Sequence, residues 1–393
     1  MKKATMLSAI ILTSLLCFCS LPAFAENGVT DGQILVGMST VLSGPASFLG
    51  TSFRNGAEAY LKTANEAGGV NGRKIKLIVY DDGYEPGRAV PNVTKLIKDD
   101  KVFCLLGNVG TPTTMAIKPI ITQEKVPLFG PFTGAEPLRR PVVAYILNYR
   151  ASYSQEVEEF IRGMVDVLGH KRIGVFFQDD AYGRVVLEST KTALEKRGLQ
   201  PAVTGMYKRN TEDIEEGLAA IITGKPDAVV MVGTYAACGK FIIEGKKRGF
   251  KPVYMNVSFV GPDKLAEIVG KYGDGEVVTN VVPPFYGEDS QSYSAVQDYL
   301  SAMKKHFPGN KPSFVGLEGF LATKVFCEGL RKAGKNPTRE SFIHAVESMQ
   351  DLDIGAGNKI SFSADNHQGS QKVYPTVMKN GKFSLIKDWA SFK

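Results

Sequence analysis

Short apolar runs alternate with helical segments along the first third of the chain. The runs at residues 33–39, 75–80 and 102–106 have the length and composition of strands that a parallel sheet buries on both faces. The segments at 51–65 and 88–101, which separate these runs, carry apolar residues at helical spacing. Because parallel strands need such crossover helices, the alternation predicts a doubly wound parallel sheet of the α/β class.

The same alternation begins again after residue 141 and predicts a second α/β unit. Its predicted strands lie at 142–147, 172–177, 203–207, 228–233, 253–256 and 277–282, with helices between them that include 184–197 and 211–223. A stiff connector, PPFYG at 283–287, then leads to predicted helices at 290–306, 315–333 and 338–349. The final predicted strands are 359–363, 372–378 and 383–387, and Asn380-Gly381 predicts a hairpin turn between the last two.

The turn after the strand at 102–106 has the features of an anion-binding helix start. Thr111 is the predicted N-cap, and Pro112 takes the first helical position, where a missing N–H costs nothing. The N–H groups of Thr113 and Thr114 would then lie unpaired at the positive end of the helix dipole. The loop at 131–136 follows the next strand and should reach the same edge of the sheet, where open α/β sheets bind ligands. The stretch predicts a seat for a carboxylate, and by itself it fits an ordinary capped turn equally well.

The first 25 residues have the pattern of a secretory signal peptide. A charged start (MKK) precedes an apolar stretch, and the small-x-small motif AFA at 23–25 predicts cleavage after Ala25. No other apolar run approaches the roughly 20 residues that a membrane span requires. We therefore expect a protein of the bacterial periplasm that does not insert into the membrane after cleavage.

The sequence carries no pattern that indicates an enzyme or a metal site. GxSxG, HExxH and Walker A motifs are absent, and the four histidines do not lie at metal-ligand spacing from one another. Cys104, Cys238 and Cys327 remain after cleavage, and this odd, widely spaced set predicts buried free thiols. The formal net charge of +7 is spread along the chain, so no nucleic-acid partner is predicted. We expect a protein that is not an enzyme and holds no cofactor or metal.

Four motifs, in this order and spacing, resemble the type I periplasmic solute-binding proteins of bacterial ABC importers, specifically the leucine/isoleucine/valine-binding branch. They are LSGPASFLG at 42–50, GGVNGRKIKLIVYDDGYEPGRAV at 68–90, PLFGPFTGAEPL at 127–138 and DNHQGSQKVY at 365–374. The resemblance covers essentially the whole mature chain. It implies two doubly wound three-layer (αβα) lobes, joined by a three-segment hinge, with the ligand cleft between them.

The resemblance also implies where the lobes divide. Lobe I would comprise residues 26–147 and 283–354, and lobe II would comprise residues 148–282 and 355–393. The two successive α/β units derived from the apolar pattern fit this division, and the connector at 283–287 is a natural hinge crossing.

By the same resemblance, lobe I would hold the ligand's polar end. The ligand carboxylate would sit against the loop at 110–114, with Thr111 as a hydroxyl that binds it. The next loop, which contains Phe132, Thr133 and Gly134, would bind both carboxylate and ammonium. Lobe II would close over the ligand with Tyr182 and Tyr235, and the crossing segment would place Tyr153 near the cleft.

The chain departs from the resemblance at three places. The acidic residue that receives the ligand's amino group aligns with Ser258, which cannot neutralise an ammonium. The two positions of a lobe I disulfide are Tyr84 and Gly110, so that bridge is absent, and the aromatic residue of the first loop is displaced. An anchored carboxylate is therefore better supported than an anchored amino group. The predicted ligand-binding residues are Thr111, Thr113, Thr114, Phe132, Thr133, Gly134, Tyr153, Tyr182, Tyr235 and Ser258.

The implied function is that of a solute-binding component of an ABC importer. Such a protein, expected to be a monomer, would close by hinge motion around a branched-chain or other hydrophobic amino acid and deliver it to an inner-membrane permease. Two alternatives stay open. The ligand is an aromatic or aliphatic carboxylate without an amino group, or the protein is a sensory one that presents its ligand to a receptor or kinase.

Overall fold

The first sheet contains the strands that the apolar runs predicted. In the computed structural model, which describes residues 26–392, the first unit consists of β1 (Gln33–Thr40), α1 (Ser47–Glu66), β2 (Lys74–Asp81), α2 (Pro86–Lys98), β3 (Cys104–Leu106), α3 (Thr111–Gln123), β4 (Leu128–Phe129) and β5 (Ile146–Leu147). The five strands are parallel and ordered β2-β1-β3-β4-β5. The predicted signal peptide and its cleavage site lie outside the described residues.

The second sheet is larger and mixed. Its unit begins with α4 (Tyr153–Ile161), and continues with β6 (Ile173–Gln178), α5 (Ala181–Glu195), β7 (Val203–Tyr207), α6 (Glu215–Gly224), β8 (Ala228–Val232), α7 (Tyr235–Lys247), β9 (Val253–Val257), α8 (Pro262–Val269) and β10 (Val277–Asn280). These five strands are parallel. The chain end adds two antiparallel strands, β13 (Tyr374–Lys379) and β14 (Lys382–Leu385), to give the order β14-β13-β10-β9-β8-β6-β7.

Three further helices, α9 (Ser294–His306), α10 (Phe314–Ala333) and α11 (Arg339–Glu347), return the chain to the first sheet. The contact between α1 and α10 is close because glycines line it. A Cβ atom at Gly56 would lie 1.8 Å from the Gly316 carbonyl oxygen, so only hydrogen fits there. A small ladder of β11 (Leu352–Asp353) and β12 (Lys359–Ile360) follows α11.

Two of the crossings between the lobes are hydrogen-bonded to each other. Asn148 N–H donates to the His367 carbonyl at 2.7 Å, and Gly369 N–H donates back to the Asn148 carbonyl at 2.8 Å. Ser370 N–H then donates to the Tyr149 carbonyl at 2.9 Å. The segment that leads into lobe II therefore runs beside the segment that returns to it. The predicted α/β class with two doubly wound lobes is confirmed.

Several predicted boundaries differ from those in the structure. The predicted strand at 142–147 shortens to β5, and the predicted helix at 211–223 begins only at Glu215, because the Thr211 hydroxyl donates to the Lys208 carbonyl and holds a turn there. The predicted hairpin is confirmed, with positive φ at Asn380 and Gly381. The three cysteines of the described chain are free and buried, as predicted.

Candidate functional site

The lobes meet where the loops after the strands of both sheets face each other. The Phe48 N–H of lobe I donates to the Tyr235 hydroxyl of lobe II at 3.2 Å. The Gln178 amide of lobe II donates to the Tyr84 hydroxyl of lobe I at 3.3 Å. These contacts close the cleft, and the predicted ligand residues lie buried between the lobes.

The hydroxyls of Thr111 and Thr133 lie together at the centre of this region. Their oxygen atoms are 2.7 Å apart, so the loop after β3 and the loop after β4 meet as predicted. Both side chains are fully buried. The Thr133 hydroxyl also accepts a hydrogen bond from the Ala135 N–H at 3.2 Å. A ligand oxygen placed here would meet two hydroxyls that presently pair with each other.

The start of α3 differs from the prediction by one residue. Gly110, at φ +103°, is the N-cap, and Thr111 is already the first residue of the helix. The Thr114 N–H donates to the Gly110 carbonyl at 3.1 Å. The prediction that this N–H is unpaired is therefore wrong. The Thr113 hydroxyl donates to the same carbonyl at 3.1 Å. The Thr114 hydroxyl, by contrast, is buried without a hydrogen-bond partner among residues 26–392.

Glycine is required at the cap because Tyr84 covers it. A Cβ atom at residue 110 would lie 2.2 Å from the Tyr84 ring, and the positive φ disfavours any other residue. These are the two positions that the resemblance assigns to a disulfide. Here a buried aromatic ring packed on a glycine joins the same two loops.

An aromatic cluster forms the wall beside the threonine pair. Phe259, which follows β9, packs against Tyr182 at 4.7 Å, Phe132 at 5.3 Å and Tyr84 at 5.8 Å between ring centroids. Tyr153 packs against Tyr182 at 5.3 Å. The hydroxyls of Tyr153 and Tyr182 have no hydrogen-bond partner in the part of the chain that the structure describes. The wall is thus apolar with two buried, unused hydroxyls.

Two other predicted positions have a clear structural role. Tyr235 is the first residue of α7, and its ring makes an edge contact with Phe48 at 5.8 Å. It therefore closes the rim of the cleft rather than its centre. Gly134 contacts the start of α4, because its carbonyl accepts a hydrogen bond from the Tyr153 N–H at 2.8 Å. A Cβ atom at Gly134 would lie 2.5 Å from the Tyr153 ring.

A buried guanidinium lies among the predicted ligand residues. The Arg150 guanidinium carbon is 5.1 Å from the centre of the Phe132 ring and 5.6 Å from that of Tyr153. Its Nη2 donates to the Ser258 hydroxyl and, at 2.8 Å, to Glu156 Oε1. Its Nη1 is 3.5 Å from Glu318 Oε1 on α10. Arg150 therefore links Glu156 of one lobe to Glu318 of the other.

Burial and mutual charge set the protonation of this group. Burial raises the pKa of Glu318 to about 7, with Arg150 opposing the shift and Glu156 adding to it. Burial also raises the pKa of Glu156 against the opposing effect of Arg150. Burial lowers the pKa of Arg150, but the charges of Glu318 and Glu156 outweigh it, so the guanidinium stays protonated.

All ten predicted residues are buried. Recorded contacts join six of them, namely Thr111, Phe132, Thr133, Tyr153, Tyr182 and Ser258, to the threonine pair, the rings or Arg150. Thr113, Thr114 and Gly134 belong to the same segments as Thr111 and Thr133, and Tyr235 lies at the rim. The sequence prediction missed Arg150, Glu156, Phe259 and Glu318. One signal was present in the sequence: Glu318 is the single charged residue in the apolar run FVGLEGFLAT at 314–323. A charge in such a run needs a buried partner. Among the side chains that the structure describes, no group of His, Cys, Asp and Glu is arranged to hold a metal ion. No helix within residues 26–392 combines the length and apolar character needed to cross a bilayer.

Comparison with known proteins places this geometry in a family. A family model described as periplasmic binding protein matches residues 33–382. A leucine-, isoleucine-, valine-, threonine-, and alanine-binding protein of Pseudomonas aeruginosa is 23% identical, over 82% of this chain and 85% of that protein.

Two solved structures share the fold over almost their whole length. A possible leucine/isoleucine/valine-binding protein from Rhodopirellula baltica is 36% identical, with a TM-score of 0.86, covering 94% of this chain and 99% of that one. A substrate-binding periplasmic protein from Ralstonia solanacearum is 27% identical, with a TM-score of 0.84, covering 90% and 99%. The chain therefore belongs to the type I periplasmic binding proteins, the family that its motifs resemble.

Proposed function

We propose that this protein is the solute-binding component of an ABC importer, and that it takes a small ligand with a carboxylate and an apolar body. The observation that carries this proposal is the Thr111–Thr133 hydroxyl pair, 2.7 Å apart and buried beside an aromatic wall. The hydroxyls suit a carboxylate, and the rings suit an aliphatic or aromatic group. The names of the relatives make a branched-chain or other hydrophobic amino acid the first expectation.

Closure of the lobes would supply much of the affinity. Thr111 and Phe132 belong to lobe I, whereas Tyr182 and Phe259 belong to lobe II, so only the closed form surrounds a ligand. Burying a branched aliphatic group contributes about 2 kcal/mol, and each hydrogen bond to a carboxylate about 1.5–3 kcal/mol. After the costs of ordering, these contributions are compatible with micromolar binding, which corresponds to about −8 kcal/mol.

We further infer that the closed protein docks on an inner-membrane permease and releases its ligand there, chemically unchanged. The relatives by sequence are solute-binding proteins, which supports binding rather than catalysis. The proposal keeps the lobe boundaries expected from the sequence, a periplasmic location after signal-peptide cleavage, and a monomeric state.

Calorimetry with a panel of hydrophobic carboxylates tests this proposal. The panel should contain branched-chain amino acids, their 2-oxo acids and simple aromatic acids, each with its carboxamide as the matched control. We expect at least one acid to bind with micromolar or tighter affinity, and its carboxamide to bind at least about tenfold more weakly. Failure of every acid to bind, or equal binding of acids and carboxamides, would overturn the proposal.

A further inference from the structure

A buried cation lies next to the position where an amino acid ligand would need an acidic partner. The resemblance places the acid that receives an amino group at Ser258. In the structure the Ser258 hydroxyl accepts a hydrogen bond from the Arg150 guanidinium instead. Because Arg150 also contacts the rings of Phe132 and Tyr153, a fully buried cation lies beside three predicted ligand residues.

Only part of the Arg150 guanidinium is hydrogen-bonded in the described part of the chain. Its Nη2 donates to Glu156 and Ser258, whereas its Nε and Nη1 have no hydrogen-bond partner within residues 26–392. Glu318 lies 3.5 Å from Nη1, which is an ionic contact but not a hydrogen bond by the usual distance. Unpaired N–H groups of a buried cation are costly, so an incoming acceptor oxygen would be stabilised there.

The neighbouring carboxylate of Glu156 is poorly placed to bind a ligand ammonium, because its oxygens already accept hydrogen bonds from the protein. Its Oε1 accepts hydrogen bonds from Arg150 and from the Ser258 hydroxyl at 3.0 Å. Its Oε2 accepts from the Ser258 N–H at 2.7 Å and from the Thr279 hydroxyl at 3.2 Å. With four donors already directed at it, this carboxylate holds the guanidinium and the loop after β9 in place, and it has little capacity for a further donor.

We propose that the ligand presents an acceptor oxygen rather than an α-ammonium to Arg150, so that its class is a hydrophobic carboxylic acid without an amino group, such as a 2-oxo acid. The ligand carboxylate would face the Thr111 and Thr133 hydroxyls, and the oxygen on the neighbouring carbon would accept an N–H of Arg150. An α-ammonium at that point would lie against the guanidinium, and like charges in a buried site discriminate strongly. This inference rests on the proposed function and narrows its ligand class.

Calorimetry with a matched pair, leucine and 4-methyl-2-oxopentanoate, tests the inference on the mature protein. The two ligands share carboxylate and side chain and differ only at the atom that would face Arg150. We expect the oxo acid to bind at least about tenfold more tightly than leucine. Leucine binding as tightly as the oxo acid, or more tightly, would overturn the inference while leaving the proposed function intact. If neither these ligands nor any other acid of the panel binds, the proposed function fails and the inference with it.

Two variants at Ser258 test the inference without replacing Arg150. Replacement of Arg150 would leave Glu156 and Glu318 buried without their cation. Ser258→Asp places a carboxylate against the guanidinium, and Ser258→Asn is the uncharged control of similar size. We expect the preference for the oxo acid to fall about tenfold or more in Ser258→Asp and to fall clearly less in Ser258→Asn, which changes the same hydrogen bonds without adding a charge. An unchanged preference in Ser258→Asp would show that the charge at Arg150 does not select the ligand.

Discussion

Arg150 donates a hydrogen bond from its guanidinium to the hydroxyl of Ser258, and both side chains are buried between the lobes. Arg150 lies in the segment that crosses into lobe II, and Ser258 follows the strand β9 of that lobe. Glu318 reaches the same guanidinium from α10 in lobe I. Arg150, Glu156 and Glu318 form an ion group that, together with Ser258, connects the crossing segment, lobe I and lobe II. This ion group lies beside the rings that would enclose a ligand.

Removal of the Thr111 hydroxyl should weaken ligand binding. In Thr111→Val we expect the affinity for a bound carboxylate to fall by about 1–2 kcal/mol, since one hydrogen bond to the ligand is lost. The matched control is Thr122→Val on the same helix, whose exposed hydroxyl donates to the Lys118 carbonyl at 2.8 Å, away from the site. Titration calorimetry measures both variants, and an unchanged affinity in Thr111→Val would remove Thr111 from the site.

Glu85 should stabilise the closed form, because its carboxylate bonds to residues of the other lobe. Its carboxylate accepts hydrogen bonds from Arg209 at 2.7 Å and from Asn210 at 2.6 Å across the cleft. Because Glu85 and Arg209 are partly exposed, Glu85→Ala should destabilise the closed form by only about 0.5–1 kcal/mol, and less at high salt. Ligand affinity should fall by that amount at low salt. Glu215→Ala, which breaks an exposed pair with Arg248 inside lobe II, should leave affinity unchanged.

Gly110 should tolerate no side chain. In Gly110→Ala, the Cβ atom would overlap the Tyr84 ring and the backbone would keep a positive φ, so we expect a loss of about 2–5 kcal/mol in unfolding free energy. The matched control is Gly198→Ala, which also has a positive φ but open space around its Cβ position. It should cost about 1 kcal/mol. Urea denaturation of both variants separates the cost of the overlap with Tyr84 from the cost of the positive φ. Equal losses of unfolding free energy in the two variants would contradict the Tyr84 contact.

Glu318 should make stability depend on pH. Burial raises its pKa from 4.5 to about 7, so the folded protein binds more protons than the unfolded chain between these values. Its contribution to the free energy of unfolding is therefore fully present below about pH 4.5 and is lost as the pH rises to about 7. Relative to Glu318→Gln, the wild-type protein should lose about 3 kcal/mol over this window. Glu188→Gln, at an exposed position of α5, is the control, and parallel pH profiles for wild type and Glu318→Gln would contradict this assignment.

The sequence allowed the fold to be predicted because the fold depends on local patterns. The buried run at 102–106, the Asn380-Gly381 turn and the glycines that follow strands each specify their own conformation. The loops that carry Thr111 and Thr133 could be placed for the same reason, since both follow strands of one parallel sheet. The two loops meet as predicted, and the structure adds that their hydroxyls lie 2.7 Å apart.

The ion group could not be predicted in this way, because its members are distant in sequence. Arg150, Ser258 and Glu318 come from a crossing segment, a loop and a helix, and only the packing of the lobes brings them together. The sequence shows that residue 258 carries no charge, but it does not show that the Arg150 guanidinium lies against this residue. The cap at Gly110 was missed by one residue for a related reason, since the ring that requires glycine belongs to Tyr84 on another loop.

A crystal structure of the mature protein with bound 4-methyl-2-oxopentanoate tests the ligand site most directly. We expect the ligand between the lobes, its carboxylate at the Thr111 and Thr133 hydroxyls, and its 2-oxo oxygen about 3 Å from an N–H of Arg150. A ligand outside the cleft, or one in the cleft whose oxygens contact neither the threonine pair nor Arg150, would contradict this arrangement.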